Sequence, residues 1–460
     1  MGSNPTPGTI RDLYHILRYI VDMVKLRLGK EPILQLALDF TELDRAIRVA
    51  EEALKGGVDW LEVGTPLIKS EGMNAIREIK RRFRDHVVVA DMKTVDTGRL
   101  EVEMALKAGA DVVIILGLSD DSTIREAIEA ARNYGGYVMV DLINVSNPIE
   151  RALEMEKLGV DIICIHVGID QQMRGMNPIK ILEEVRGKVS TPLAIAGGIT
   201  SESASLAVEK GADIVIVGGA ITKAENATEA ARLIKEAMLR RVSIKALKGV
   251  KARSEEEILE ILRKVSVPNI SDAMHRARVL TGFKPVIPGS KIVGIALTVR
   301  TYPGDWAKPV EALDLASENH VIVIDAGGEE LAVWGELATW SAKNRKVAGI
   351  IINGGVRDIK DIREIGLPIY AKHFCARAGE PKGYGEINIP IEIDGVKIRP
   401  GDFIVAEDEG IIVIPREIAQ EVANRALDIK EKEDRIREEI KREKTTLAKI
   451  IDLYKWEKIK

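Results

Sequence analysis

The chain has 460 residues, with 67 Lys and Arg against 71 Asp and Glu, a formal charge of −4 and two cysteines. That length predicts two or three domains, and the near-neutral charge without a basic aromatic stripe gives no support for nucleic-acid binding. Cys164 and Cys375 are far apart and lack CxxC spacing, so neither a disulfide framework nor a zinc site is implied, and a reducing cytoplasm fits.

Residues 1–8 read as an unstructured leader. Ile10, Leu13, Ile16, Leu17, Ile20, Val24 and Leu28 then recur at helical spacing, predicting an amphipathic helix that covers the base of the next domain or joins an oligomer interface. It is too charged to span a membrane, and Asp12 and Asp22 argue against a signal peptide. From there a strand–helix repeat begins. Apolar, β-branched runs fall at 33–40, 58–63, 87–92, 111–116, 137–143, 160–167, 192–196 and 212–217, separated by amphipathic stretches such as 42–55, 99–108 and 203–210. Several of these stretches end in glycine, as at Gly56-Gly57, Gly109 and Gly211, which stops a helix. Eight evenly spaced units predict an α/β fold, a closed (β/α)8 TIM barrel over residues 31–245.

In such a barrel, functional groups sit at the C-terminal strand ends, and polar residues fall there. Strand one ends in Asp39, strand two carries Glu62, strand three Asp91 and Lys93, and strand six His166. Alternate strand residues share a face, so Asp91 and Lys93 should project together, while Asp96, just beyond, is free to reach elsewhere. Strands seven and eight end in Gly197-Gly198 and Gly218-Gly219, where backbone N–H groups can approach a phosphate. Thr200 and Ser201 stand where they would cap the following helix.

Asp91-Met92-Lys93-Thr94-Val95-Asp96 matches the D-x-K-x-x-D pattern that closes strand three in the orotidine-monophosphate decarboxylase superfamily. Residues 61–72, 90–98, 166–172, 196–200 and 217–222 resemble 3-hexulose-6-phosphate synthases within it, over roughly residues 31–240. Sister keto-gulonate-phosphate decarboxylases typically carry Arg after the strand-six His and after the last Gly; here Val167 and Ala220 stand there, which favours the synthase and leaves the decarboxylase as the alternative. The resemblance implies aldol addition of formaldehyde to ribulose 5-phosphate, or its reverse, through an enediolate. It implies Mg2+ (or Mn2+) on Glu62 and Asp91 and catalytic roles for Asp39, Lys93, Asp96 and His166. Lys93 would stabilise the enediolate and His166 would transfer the proton. It further implies a barrel homodimer in which Asp96 completes the neighbour's site, and a 6-phospho-3-hexuloisomerase as pathway neighbour.

The second half lacks the repeat. Short apolar runs at 292–299, 321–324, 349–352, 403–405 and 411–414 alternate with Gly/Pro turns, predicting a mixed-sheet α/β domain over 246–430. Ile270-Ser271-Asp272-Ala273, Pro303-Gly304-Asp305, Gly335-Glu336-Leu337, Gly354-Gly355-Val356-Arg357-Asp358 and Pro400-Gly401-Asp402 resemble the family of the regulator of ribonuclease activity A and the 4-hydroxy-4-methyl-2-oxoglutarate aldolases. By that resemblance Arg357 grips a carboxylate, Asp358 holds the metal and Asp361 a metal-bound water. Glu336 would face the metal, and the backbone at Gly335, Glu336 and Leu337 would receive an α-keto acid. The competing reading is a non-catalytic regulatory or assembly module. Residues 431–460, rich in Glu and Lys, read as a solvated C-terminal helix. The charged fraction of 30% with 4% aromatics resembles a thermophile's surface.

Overall fold

The computed structural model of the protein describes residues 31–246 and 251–456; the expected helix over 10–28 and the leader before it lie outside the described residues. Residues 31–172, 176–246 and 431–456 form one compact unit, and residues 173–175 with 252–430 the other.

In the first unit eight parallel strands close into a barrel in sequence order. They are β1 (Ile33–Leu38), β2 (Trp60–Val63), β3 (Val87–Thr94), β4 (Val112–Leu116), β5 (Tyr137–Asp141), β6 (Ile162–His166), β7 (Leu193–Ala196) and β8 (Ile214–Val217). Strand alternation sorts the side chains. Trp60, Val89, Ile114, Met139, Cys164 and Ile216 fill the interior, while their neighbours Leu61, Val88, Val113, Val138, Ile163 and Val215 face outward onto helices. The helix Leu43–Lys55 shows the complementary pattern, burying Ala46, Val49, Ala50 and Ala53 along one stripe.

The barrel base carries a repeat that sequence reading passed over. Gly57-Val58-Asp59, Gly109-Ala110-Asp111, Gly159-Val160-Asp161 and Gly211-Ala212-Asp213 precede the four even-numbered strands. Each Asp accepts the backbone N–H of a residue at or near the start of the preceding odd strand: Leu34 to Asp59 at 2.7 Å, Val88 to Asp111 at 2.8 Å, Val138 to Asp161 at 2.9 Å and Leu193 to Asp213 at 2.8 Å. The N–H of each Asp returns a bond to the carbonyl of the same residue. The glycines allow the positive φ needed to leave the helix, +97° at Gly57 and +107° at Gly109.

The second unit is built on a mixed sheet. Its strands are β9 (Lys284–Pro285), β10 (Ile292–Thr301), β11 (His320–Asp325), β12 (Ala332–Trp334), β13 (Gly349–Val356), β14 (Ile369–Phe374), β15 (Gly385–Ile387), β16 (Ile391–Ile393), β17 (Val396–Ile398), β18 (Phe403–Glu407) and β19 (Gly410–Ile414). The main order is β19-β18-β10-β11-β13-β14-β9, with β12 beside β13 and β15 beside β10, while β16 and β17 form a separate hairpin. β10, β11, β13 and β14 run parallel, and β18, β19 and β9 are antiparallel. Burial on both faces explains their near-continuous Ile and Val content.

The charged C-terminal segment is helical but wet on one face only, and its helix begins well before residue 431. The helix Ala419–Glu443 buries Ala419, Val422, Ala423 and Ala426 in the second unit, and its later residues belong to the barrel unit. There Arg435 is 2% exposed. It donates to Glu439 Oε1 at 2.7 Å, to Glu52 Oε2 at 3.0 Å and to the carbonyls of Ala224 and Glu225 at 2.9 and 3.0 Å. Beside its i,i+4 partner Glu439, Arg435 is thus tied to groups more than 200 residues away in sequence, Glu52, Ala224 and Glu225.

Candidate active site

At the C-terminal mouth of the barrel the inward-facing register brings together five of the expected residues. Asp91, almost fully buried, ends the regular part of β3. Thr65 Oγ1 lies 2.7 Å from its Oδ2 and 2.8 Å from its carbonyl, and Lys93 Nζ lies 3.0 and 2.8 Å from its two carboxylate oxygens. The meeting of Asp91 and Lys93 is not simple alternation. The pairing of β3 with β4 jumps from Asp91–Ile114 to Thr94–Ile115, and Lys93 adopts φ +45°. Two extra residues thus bulge out of the ladder, and the bulge aims the ammonium back at its own strand.

Lys93 Nζ also reaches Asp141 Oδ2 at 3.3 Å, and the same oxygen lies 2.8 Å from His166 Nδ1. Asp141, 2% exposed at the end of β5, therefore joins β3 to β6. With a proton on Nδ1 directed at Asp141, the Nε2 of a neutral His166 carries the lone pair. Burial opposes ionisation of Asp141, but His166, Lys93 and the Ile143 N–H hold its carboxyl below the usual range. Burial likewise opposes the charge on Lys93, yet Asp91 and Asp141 raise its pKa further.

Glu62 lies deep in the mouth and accepts from Gln35 Nε2 at 2.5 Å. Burial, then Asp91 and Asp39, push its carboxyl well above the ordinary value, against the pull of Lys93 and Gln35. Asp39 is reached by solvent through the mouth but is otherwise walled in by protein. Desolvation first and Asp91 second raise its pKa, opposed by Lys93, His166 and Lys223. Its carboxylate lies against Gly64, where an added Cβ would come within 2.3 Å of Oδ1. Glu62 and Asp39 thus carry carboxyl groups of raised pKa on either side of Asp91, whose own oxygens are taken up by Lys93 and Thr65.

The glycine pairs also lie at the mouth. Gly197 and Gly198 have φ +108° and +69°, and a Cβ on Gly197 would stand 2.4 Å from the Val167 carbonyl, so only glycine fits this turn. Gly218 precedes the short helix Gly219–Thr222, and the Lys223 side chain lies beside Gly219. Thr200 and Ser201 do not cap the next helix as expected. That helix starts at Ala204, and Thr200 Oγ1 instead accepts from Glu202 N–H at 3.3 Å. Asp96 is exposed and accepts from Thr97 N–H at 2.7 Å, so this chain does not bring it into its own cluster.

In the second unit Arg357 follows β13. Its Nε is 3.5 Å from Asp358 Oδ2, and both side chains are open to solvent. Asp358 holds φ +57° at the start of the helix Ile359–Ile365, and its Oδ2 accepts the Glu336 N–H at 3.1 Å. That N–H, expected to face a keto acid, is thus engaged with the carboxylate expected to hold a metal. Asp361 is exposed, Gly335 is extended, and Leu337 is 78% exposed. Among the described residues no three His, Cys, Asp or Glu side chains gather as a metal site by themselves.

Residues 32–234 match the family model of the orotidine 5'-phosphate decarboxylase / HUMPS family. A 3-hexulose-6-phosphate synthase of Bacillus subtilis is 40% identical over 204 residues, 44% of this chain and 97% of that protein. The chain belongs to the orotidine 5'-phosphate decarboxylase / HUMPS family. The crystal structure of a 3-hexulose-6-phosphate synthase from Salmonella typhimurium is 38% identical to this HUMPS-family chain over 45% of its length and 99% of the other, with TM-score 0.44. That of a 3-keto-L-gulonate-6-phosphate decarboxylase from Vibrio cholerae is 28% identical over 46% and 99%, with TM-score 0.42. Residues 267–413 match the RraA-like family model, Aldolase/RraA. The protein is thus a HUMPS-family barrel fused to an RraA-like domain.

Three residues of this HUMPS-family site escaped sequence reading. Asp141 ends an apolar strand on the inward face, which marks its position locally but not its partners on β3 and β6. Gln35, fully buried in β1, was visible as the polar residue inside an apolar run. Lys223 gave no such signal, because its place depends on the short turn after β8.

Proposed function

We propose that the barrel joins formaldehyde to C1 of ribulose 5-phosphate, giving 3-hexulose 6-phosphate, or runs this aldol step in reverse. The observation that carries the reading is the Asp91–Lys93–Asp141–His166 chain at the barrel mouth, its two carboxylates buried, beside Glu62 and Asp39. His166, its Nδ1 facing Asp141, takes the C1 proton at Nε2, and the electron pair left behind delocalises into the ketone as an enediolate. Lys93 places its ammonium where that charge develops. The enediolate carbon then attacks formaldehyde, and a proton returned to the new alkoxide completes the addition. Glu62 and Asp91, with substrate oxygens, would hold Mg2+ or Mn2+, which when bound polarises the carbonyl and neutralises the carboxylates. The glycine turns after β7 and β8, with Lys223, receive the phosphate.

Asp96 projects away from its own cluster, which supports a homodimer in which it completes the neighbour's site. A 6-phospho-3-hexuloisomerase is the expected neighbouring enzyme. For the RraA-like domain we propose metal-dependent cleavage or decarboxylation of a keto acid around Arg357, Asp358, Asp361 and Glu336; the alternative is a regulatory or assembly module. Among the described residues no helix is long and apolar enough to cross a membrane.

The test is incubation of the full chain with ribulose 5-phosphate, formaldehyde and Mg2+, following formaldehyde loss and the hexulose phosphate formed. Absence of formaldehyde consumption, with CO2 released from 3-keto-gulonate 6-phosphate, would replace the synthase reading by the decarboxylase one. Pyruvate release from oxaloacetate, assayed in the same preparation, tests the second domain.

A further inference from the structure

The segment 431–456 lies outside the stretch matched to the HUMPS family, yet it converges on one loop of the barrel mouth. Residues 39–42, between β1 and the helix Leu43–Lys55, have no regular backbone structure. They carry Asp39, whose carboxylate sits beside the like-charged Asp91, and no strand ladder fixes the loop that holds it.

Two lines of contact run from the segment to that loop. In the first, the Arg45 guanidinium lies 5.3 Å from the centre of the Phe40 ring, next to Asp39 in sequence. Arg45 Nε is 3.2 Å from Glu439 Oε2, an ion pair without hydrogen-bond alignment, and Nη2 donates to Oε1 at 3.5 Å. Arg435 fixes Glu439 from the other side at 2.7 Å, and all three charged groups are buried. In the second, the Thr41 carbonyl accepts from Ser70 Oγ at 2.7 Å and from Lys455 Nζ at 3.4 Å. Lys455 also pairs with Glu71 at the end of the helix Thr65–Glu71, whose first residue bonds Asp91.

We propose that residues 431–456 form a strap that positions Asp39 in the barrel site, with Glu439 and Lys455 as positioning residues acting through Arg45–Phe40 and through Thr41 and Glu71. The strap touches no reacting atom. It fixes the depth of Asp39 in the mouth, and a small displacement of a site group is costly to rate. The kinetic part of the proposal rests on the synthase reading; the structural part does not.

The test uses the full chain with Lys455→Met, Lys455→Arg and Glu439→Gln. In Lys455→Met, hydrogen exchange at the amides of residues 40–43 should quicken about tenfold with the melting temperature nearly unchanged. Turnover should fall about five- to tenfold, with KM for ribulose 5-phosphate moving less, and Lys455→Arg should restore both exchange and turnover. Glu439→Gln should quicken exchange at the same amides. Unchanged exchange there in Lys455→Met overturns the strap, as does quickened exchange with undiminished turnover in an active enzyme. If the wild-type chain shows no synthase turnover, the synthase reading fails, and the exchange measurement alone decides for or against the strap.

Discussion

The barrel and the RraA-like unit treat their polar residues in opposite ways. In the barrel, Glu62, Asp91 and Asp141 are each about 5% exposed or less, and they are tied to Lys93, His166, Gln35 and Thr65 by bonds of 2.5–3.3 Å. In the second unit Arg357 and Asp358 meet at 3.5 Å on an open surface, and Leu337 stands bare beside them. Burial is what turns a set of charges into a preorganised site, because low dielectric strengthens each interaction and forbids rearrangement. One chain holds the essentials of the barrel site, whereas the second site lacks walls within its own unit.

That contrast can be broken most directly at Lys93. Lys93→Ala should lower synthase turnover by about 10³-fold or more, since the group acts on charge present mainly in the transition state. Met92→Leu, its neighbour on the bulge, serves as the control, and a similar loss there would mean that backbone disturbance explains both. The next largest effect lies in the buried charges of the C-terminal helix. Arg435→Ala removes the buried, best-aligned partner of Glu439, leaving it to Arg45 and leaving Glu52 to Arg442, and should destabilise the barrel unit by about 3 kcal/mol in urea unfolding. A loss below about 1 kcal/mol, as for surface pairs, would show that water reaches the network.

Acidity sharpens the comparison further. The folded state raises the Glu62 pKa, so it binds that proton more tightly than the unfolded chain does. The stability this contributes is present below the unfolded carboxylate pKa and is lost as pH rises through the raised folded value. Glu62→Gln should therefore gain stability relative to wild type as pH rises above the ordinary carboxylate range. A pH-independent difference would mean that Glu62 is already ionised throughout. The smallest expected effect sits at the barrel base. Asp111→Ala frees the Val88 N–H and should cost about 1–3 kcal/mol, with synthase KM unmoved; a changed KM would link base and mouth.

Much of the barrel was legible in the sequence because its signals are local. Apolar runs at even spacing gave the strands, and the polar residues ending them gave Asp39, Glu62, Asp91, Lys93 and His166. What stayed hidden depends on residues far apart in the chain. The bulge at Lys93 shows only in the pairing of β3 with β4, since lysine carries no mark of a positive φ. Asp141 acquires meaning only once β5 stands between β3 and β6. The burial of Arg435 needs Glu52, 383 residues earlier. In the second unit the sheet was legible from its Ile and Val runs, but the loose geometry around Asp358 was not, because motif residues say nothing about how deeply they sit.

The four aspartates at the barrel base divide it into quarters. Each clamps one odd strand to the even strand that follows through a pair of bonds to a single residue, so β1–β2, β3–β4, β5–β6 and β7–β8 are the mechanical units of the wall. The chemistry sits at the opposite end, on loops that this stitching does not touch. Loops at the mouth can therefore lengthen, shorten or exchange residues while the seams below keep the cylinder round. A barrel built this way is a ring of interchangeable staves, bound at the foot and free to be recarved at the rim.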